Sequence, residues 1–108
     1  MIVTKDEKYN ALILRLEGRL DATTSVQLEN VLNDAIESKH TKILVDFSGV
    51  EYLSSAGMRV LLSMTKRLKG MNGYFKLFAI HDDVMEIIHL AGFEVILQIF
   101  DDETSAVS

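Results

Sequence analysis

The chain contains no cysteine and no proline among its 108 residues. Without a thiol there is no disulfide, no thiolate nucleophile and no thiolate metal site. Gly/Ser-rich linkers, repeats and low-complexity tracts are missing too, so nothing divides the chain and residues 1–108 read as a single domain. No stretch approaches the roughly 18 consecutive apolar residues of a membrane span. Met1 leads straight into IVTKDEKYNALILRLEGRL, which lacks the basic head and long apolar run of a secretory signal. A cytoplasmic protein is the expectation. Positive charge is also scarce: 11 lysines and arginines face 16 aspartates and glutamates, a net charge of −5. That balance repels phosphate backbones and anionic lipid, so neither nucleic acid nor a membrane surface is an expected partner, whereas a protein with a basic patch is.

What is present is a core. Apolar residues make up 48% of the chain, enough to exclude wholesale disorder. The N-terminal segment reads as two strands around a polar turn at residues 6–8, the second buried on at least one face through Ala11, Ile13, Leu14 and Leu16. Thr24 opens the sequence Thr-Ser-Val-Gln, a capping box, and Leu28, Val31, Leu32, Ala35 and Ile36 then mark one face of a helix. KILVDF predicts a strand and SGVEYL a loop. Met58, Leu61, Leu62, Thr65 and Leu68 follow helical spacing, with Lys66, Arg67 and Lys69 in the last turns and Gly70 and Gly73 at the exit. YFKLFAI predicts the next strand. Asp83 is the expected cap of a shorter helix with Val84, Ile87, Ile88 and Ala91 inward and Gly92 closing it. FEVILQIF predicts the last strand, and DDETSAVS a frayed acidic tail.

The order β-β-α-β-α-β-α-β predicts an α/β fold with a mixed, largely parallel sheet and an antiparallel N-terminal hairpin. Binding surfaces in such sheets gather where strands end and helices begin, here at residues 18–25, 48–57 and 80–83. If the first two loops lie side by side, Asp21 neighbours Ser54 and Ser55.

The stretch EYLSSAGMRV places two hydroxyls at such a junction. Serine is a leading N-cap residue, which alone accounts for it. A hydrolase nucleophile needs a base, and the sequence is not Gly-x-Ser-x-Gly; of His40, His81 and His89, only His81 lies at a candidate loop. His81-Asp82-Asp83 and Glu86/His89 lack metal-site spacing, and Gly49 and Gly57 fit no phosphate-cradling motif. A phosphorylation switch is physically sound. A phosphoserine in a first helical turn meets unpaired N–H groups and the positive end of the dipole, so the fold tolerates it while the surface changes for a partner.

VDFSGVEYLSSAGMRVLL resembles the signature of STAS domains (sulfate transporter and anti-sigma factor antagonist), most of all the stand-alone bacterial anti-sigma factor antagonists. LEGRLDATTS resembles the family's Gly-Glu-Leu-Asp-x-x-Thr segment through Gly18, Leu20, Asp21 and Thr24, and HLAGFEVILQIF resembles its usual ending. In that family the motif is usually Asp-Ser-Ser/Thr-Gly, and the serine after the aspartate receives phosphate. Aligning Gly57 with the motif glycine implies Ser55 as the phosphorylated residue, ahead of Ser54, which replaces the aspartate. Ala56 replaces the next hydroxyl, and Arg19 stands where an acidic residue is common. The resemblance further implies an anti-sigma factor partner, a serine kinase of the histidine-kinase-like ATPase type. It also implies a PP2C-type phosphatase that reverses the modification.

The protein would then be a substrate rather than an enzyme, with no catalytic residue, metal or cofactor. The partner surface implied comprises Asp21, Thr24, Ser54, Ser55, Ala56, Gly57, Met58 and Arg59. By residue chemistry alone, Asp21 also reads as a turn residue and Met58 as core. The competing reading is a non-enzymatic STAS subunit of a lipid or anion transport complex, or of a stress-sensing assembly, without a phosphorylation cycle.

Overall fold

Alternation along the second strand sorts the molecule into two layers of packing. Leu12, Leu14 and Leu16 point into one apolar cluster, while Ala11 and Ile13 point into another on the opposite side. The third strand repeats this, with Ile43, Val45 and Phe47 on the first side and Leu44 on the second. The computed structural model describes residues 1–108. It contains strands β1 (Ile2–Lys8), β2 (Ala11–Leu20), β3 (Lys42–Leu53), β4 (Tyr74–Phe78) and β5 (Gln98–Phe100). Helices α1 (Ala22–Glu37), α2 (Ser55–Lys69), α3 (Asp82–Leu90) and α4 (Glu103–Val107) alternate with them, and a 3₁₀ turn spans Phe93–Val95.

The sheet order is β1-β2-β3-β4-β5, with β1 antiparallel to β2 and every other pair parallel. This is the mixed sheet and N-terminal hairpin predicted from the order of elements. Helices α1, α2 and α3 contribute Leu28, Leu32, Met58, Leu61, Met64, Val84 and Ile88 to the larger cluster. Ala106 of α4 packs with Ala11, Ile13, Leu44 and Phe78 on the other face. No helix is long and apolar enough to cross a membrane.

Several boundaries differ from the sequence reading, each for a local reason. The hairpin turns at Tyr9 and Asn10, both with φ near +58°, rather than at residues 6–8. Two central residues of positive φ make the tight turn whose twist matches antiparallel strands, so the polar residues before it stay in β1. The segment SGVEYL is not a loop but the second half of β3, because β2 keeps pairing with it as far as Leu20 opposite Leu53. Two register irregularities interrupt that pairing, and Gly18 sits between them at φ +120°, a conformation side chains rarely adopt.

Helix α3 begins at Asp82 with His81 as its N-cap, two residues ahead of the expected Asp83 cap. Its buried residues are Val84 and Ile88 alone; Ile87 and Ala91, expected inward, are exposed. FEVILQIF is not one strand: its first part coils into the 3₁₀ turn and only Gln98–Phe100 pairs with β4.

The C-terminal tail is ordered rather than frayed. Asp102 accepts from the Ser105 N–H at 2.8 Å in a capping box, and Lys76 Nζ donates to the Ala106 carbonyl at 2.9 Å. Around Arg15 lie three carboxylates: Asp46 at 3.0 Å, Asp6 at 3.2 Å and Glu103 at 2.9 Å. Glu103 also meets Lys8 at 3.1 Å and the Tyr9 hydroxyl at 3.0 Å. This polar clasp ties α4 to β1, β2 and β3.

Candidate functional site

The carboxyl ends of β2 and β3 bring two of the three candidate loops together. Past the Leu20–Leu53 pair, the Ser54 N–H donates to the Leu20 carbonyl at 2.9 Å, so the start of α2 is fastened directly to the start of α1. The neighbourhood expected for Asp21 and the two serines is thereby present.

The adjacent serines have different tasks. Ser54 is the N-cap of α2, in extended conformation, and its Oγ accepts from the Gly57 N–H at 3.1 Å. Its carbonyl takes the Met58 N–H at 2.9 Å, closing the first turn. Ser55 is the first helical residue; it is exposed, and its hydroxyl makes no hydrogen bond within the chain. The N–H groups of Ser55 and Ala56 have no acceptor in the protein, as expected for the orphan donors of a helix start. No acidic side chain lies in the first turn, and Arg59 is exposed one turn further along. The result is a free hydroxyl set in a field that favours negative charge.

Gly57 is required by close approach. A Cβ there would meet Leu20 Cγ at 2.8 Å and Leu53 Cδ1 at 2.9 Å, so any side chain would lift α2 from the strand ends. Met58 is 4% exposed and belongs to the core cluster. Gly57 and Met58 therefore lie beneath the surface that was expected to include them, which corrects their assignment as contact residues. Ala56 is half-buried and Arg59 exposed, leaving Ser55, Arg59 and part of Ala56 at the surface.

Asp21 is the N-cap of α1, a role the sequence reading gave to Thr24. Its carboxylate accepts from the Thr24 N–H at 2.9 Å and the Thr23 N–H at 3.0 Å, and Thr24 completes the box by accepting from the Asp21 N–H at 2.8 Å. The Thr24 hydroxyl also donates to the Arg19 carbonyl at 2.6 Å, so its hydrogen-bonding capacity is spent internally. The Thr24 backbone N–H most of all, joined by the Thr24 hydroxyl, the Thr23 N–H and the charge of Arg19, outweighs desolvation and holds the Asp21 carboxyl below its ordinary value. Asp21 thus combines a structural cap with a fixed negative charge beside the serines.

Arg19, across the strand pair, stacks its guanidinium over the Tyr52 ring at 4.2 Å. Tyr52 was missed because it fell in a segment read as loop; the signal that finds it is the continuation of β3, which sets Tyr52 opposite Arg19.

His81 Nε2 lies 2.6 Å from the Ser48 carbonyl, and no histidine hydrogen-bonds Ser54 or Ser55. The serine–base pair of a hydrolase is not assembled here. The third candidate loop is instead stitched to β3 through that histidine.

The chain as a whole is similar to known proteins. BtrV of Bordetella bronchiseptica is 28% identical over 108 residues, spanning 100% of this chain and 93% of its own. RsfB of Mycobacterium tuberculosis, an anti-sigma-F factor antagonist, is 26% identical over 98 residues, 91% of this chain and 80% of its own. Among solved structures, the anti-sigma factor antagonist SpoIIAA in its unphosphorylated form superposes with a TM-score of 0.79 at 19% identity, covering 96% of this chain and 92% of that one. The phosphorylated form of SpoIIAA, from Bacillus, superposes with a TM-score of 0.72 at 18% identity over 96% of each chain. The model of the STAS domain matches residues 3–106, and the chain belongs to the STAS domain family.

Proposed function

We propose that this protein is an anti-sigma factor antagonist whose switch is the hydroxyl of Ser55. In the unphosphorylated state it binds an anti-sigma factor, a serine kinase of the histidine-kinase-like ATPase type, through the surface formed by Asp21, Ser55, Ala56 and Arg59. Sequestering that partner frees a sigma factor. The kinase transfers the γ-phosphoryl group of ATP to Ser55 Oγ, the hydroxyl proton leaves, and ADP is released. The phosphate then disrupts the docked surface, and a PP2C-type phosphatase restores it by hydrolysis.

The observation that carries this reading is the division of labour between the serines. Ser54 Oγ is committed to the Gly57 N–H, whereas Ser55 Oγ is exposed and unbonded beside two free N–H groups. A phosphate of charge about −1.5 to −2 at that position gains donors and a favourable dipole without disturbing the cap. The names of RsfB and SpoIIAA support the same reading.

The test is incubation with the cognate anti-sigma kinase and ATP, followed by intact mass and fragment mapping. One phosphate is expected, on Ser55, and none on the Ser55→Ala variant. Unchanged mass, or equal modification of Ser55→Ala, contradicts the assignment.

A further inference from the structure

Helix α3 buries a narrow strip, Val84 at 1% and Ile88 at 0% exposure, yet its outer side is also apolar. Ile87 and Leu90, three residues apart and so on one face, are 36% and 78% exposed. Gly92, at φ +77°, then turns the chain so that the 3₁₀ segment packs against α3, where Val95 and Ile96 are 84% and 41% exposed. Four large apolar side chains close in sequence and exposed on adjoining elements exceed the isolated hydrophobes that soluble surfaces normally show.

The border of this shelf has one sign. Asp82, Asp83 and Glu86 lie on α3 and Glu94 on the 3₁₀ turn, and residues 82–96 contain no lysine or arginine. The one basic group, His89, is held at 3.0 Å by Glu94. A second copy of the chain would set these carboxylates against their own image, and an anionic lipid surface would be repelled as well. The complementary occupant has apolar side chains at helical spacing flanked by lysine or arginine.

We propose that the outer face of α3 and the adjoining 3₁₀ turn form a docking surface for a basic amphipathic helix of another protein, separate from Ser55. The shelf uses neither serine nor the α2 amino terminus, so it works in both states of the switch.

The probe is a synthetic helical peptide with leucines at i, i+3, i+4 and i+7 and flanking lysines, titrated against the ¹⁵N-labelled full chain. Its control carries glutamates in place of the lysines. Expected are amide shifts confined to residues 82–96, binding that weakens between about 50 and 200 mM salt, and no binding of the control. The double variant Leu90→Glu/Val95→Glu, at exposed positions, should keep its Tm and lose at least tenfold in affinity. Ser55→Asp should bind as the parent chain does. Absence of binding, shifts centred elsewhere, equal binding of the acidic control, or a dimer abolished by Leu90→Glu would each overturn the proposal.

Discussion

On the helical face of the sheet, 23 buried residues, from three helices, three strands and Leu97 just before β5, form one continuous cluster, whereas the opposite face buries only five. There the middle of the sheet carries charge instead: Arg15 and Asp46 sit where the alternation would put core residues, and α4 is fastened over them through Glu103. Ser55, the proposed switch residue, stands on the first kind of support. Helix α2 is anchored by Met58, Leu61, Met64 and Leu68 in the large cluster, so its amino terminus keeps its shape when its surface charge changes. Packing of that sort has no pH or salt dependence to speak of, whereas the clasp on the far face has both.

Truncating Leu61, fully buried beneath α2, tests the apolar face most severely. Leu61→Ala should cost about 2–5 kcal/mol in denaturant unfolding. A loss under 1 kcal/mol would mean that this face is not the main support. Arg15→Met tests the other face. It leaves Asp46, Asp6 and Glu103 without their shared cation and should cost about 1–2 kcal/mol. Amide exchange should rise at α4 and little at α2; uniform loss of protection would erase the distinction between the two faces.

Acid should separate the faces without mutation. Burial pushes Glu103 up, but hydrogen bonds from Lys8, Arg15 and Tyr9 outweigh it and hold its carboxyl below the ordinary value. Asp102 is lowered by the Ser105 N–H and hydroxyl. A carboxylate depressed in the folded state stabilises fully above its unfolded pKa and ceases to do so as pH falls through its folded one. Exchange protection in α4 should therefore fall as pH drops from about 5 toward 3, before protection in β2 and α2 does.

The smallest effects belong to the two serines. Ser54→Ala removes the α2 cap and should cost about 1 kcal/mol. Ser55→Asp should change stability by less than about 0.5 kcal/mol while weakening partner binding; a large Tm loss would show that Ser55 is structurally committed.

Most of the fold was legible where periodicity is local. The spacing of Leu28, Leu32, Ala35 and Ile36, and of Met58, Leu61 and Leu68, placed α1 and α2 correctly because each helix face meets one surface. Asp21 was displaced as a cap because Thr24 offers an equally good local pattern; only the register of β2 against β3 decides between them. Residues 48–53 lacked strand alternation because a bulged pairing redirects their side chains. The tail looked frayed because its anchors, Ile13, Leu44, Phe78 and Lys76, lie far away in sequence. At the site, composition could name two serines at a helix start, but distinguishing the cap from the free hydroxyl required the 3.1 Å bond from Gly57 to Ser54.

In the proposed switch, phosphate on Ser55 changes recognition without changing the scaffold. Calorimetric titration of the cognate anti-sigma kinase with the unmodified and the Ser55-phosphorylated chain, with Tm measured on both, tests it most directly. Affinity at least tenfold lower is expected for the phosphorylated form, about 1.4 kcal/mol or more, at nearly equal Tm. Equal affinities, or a loss of binding accompanied by unfolding, would contradict it.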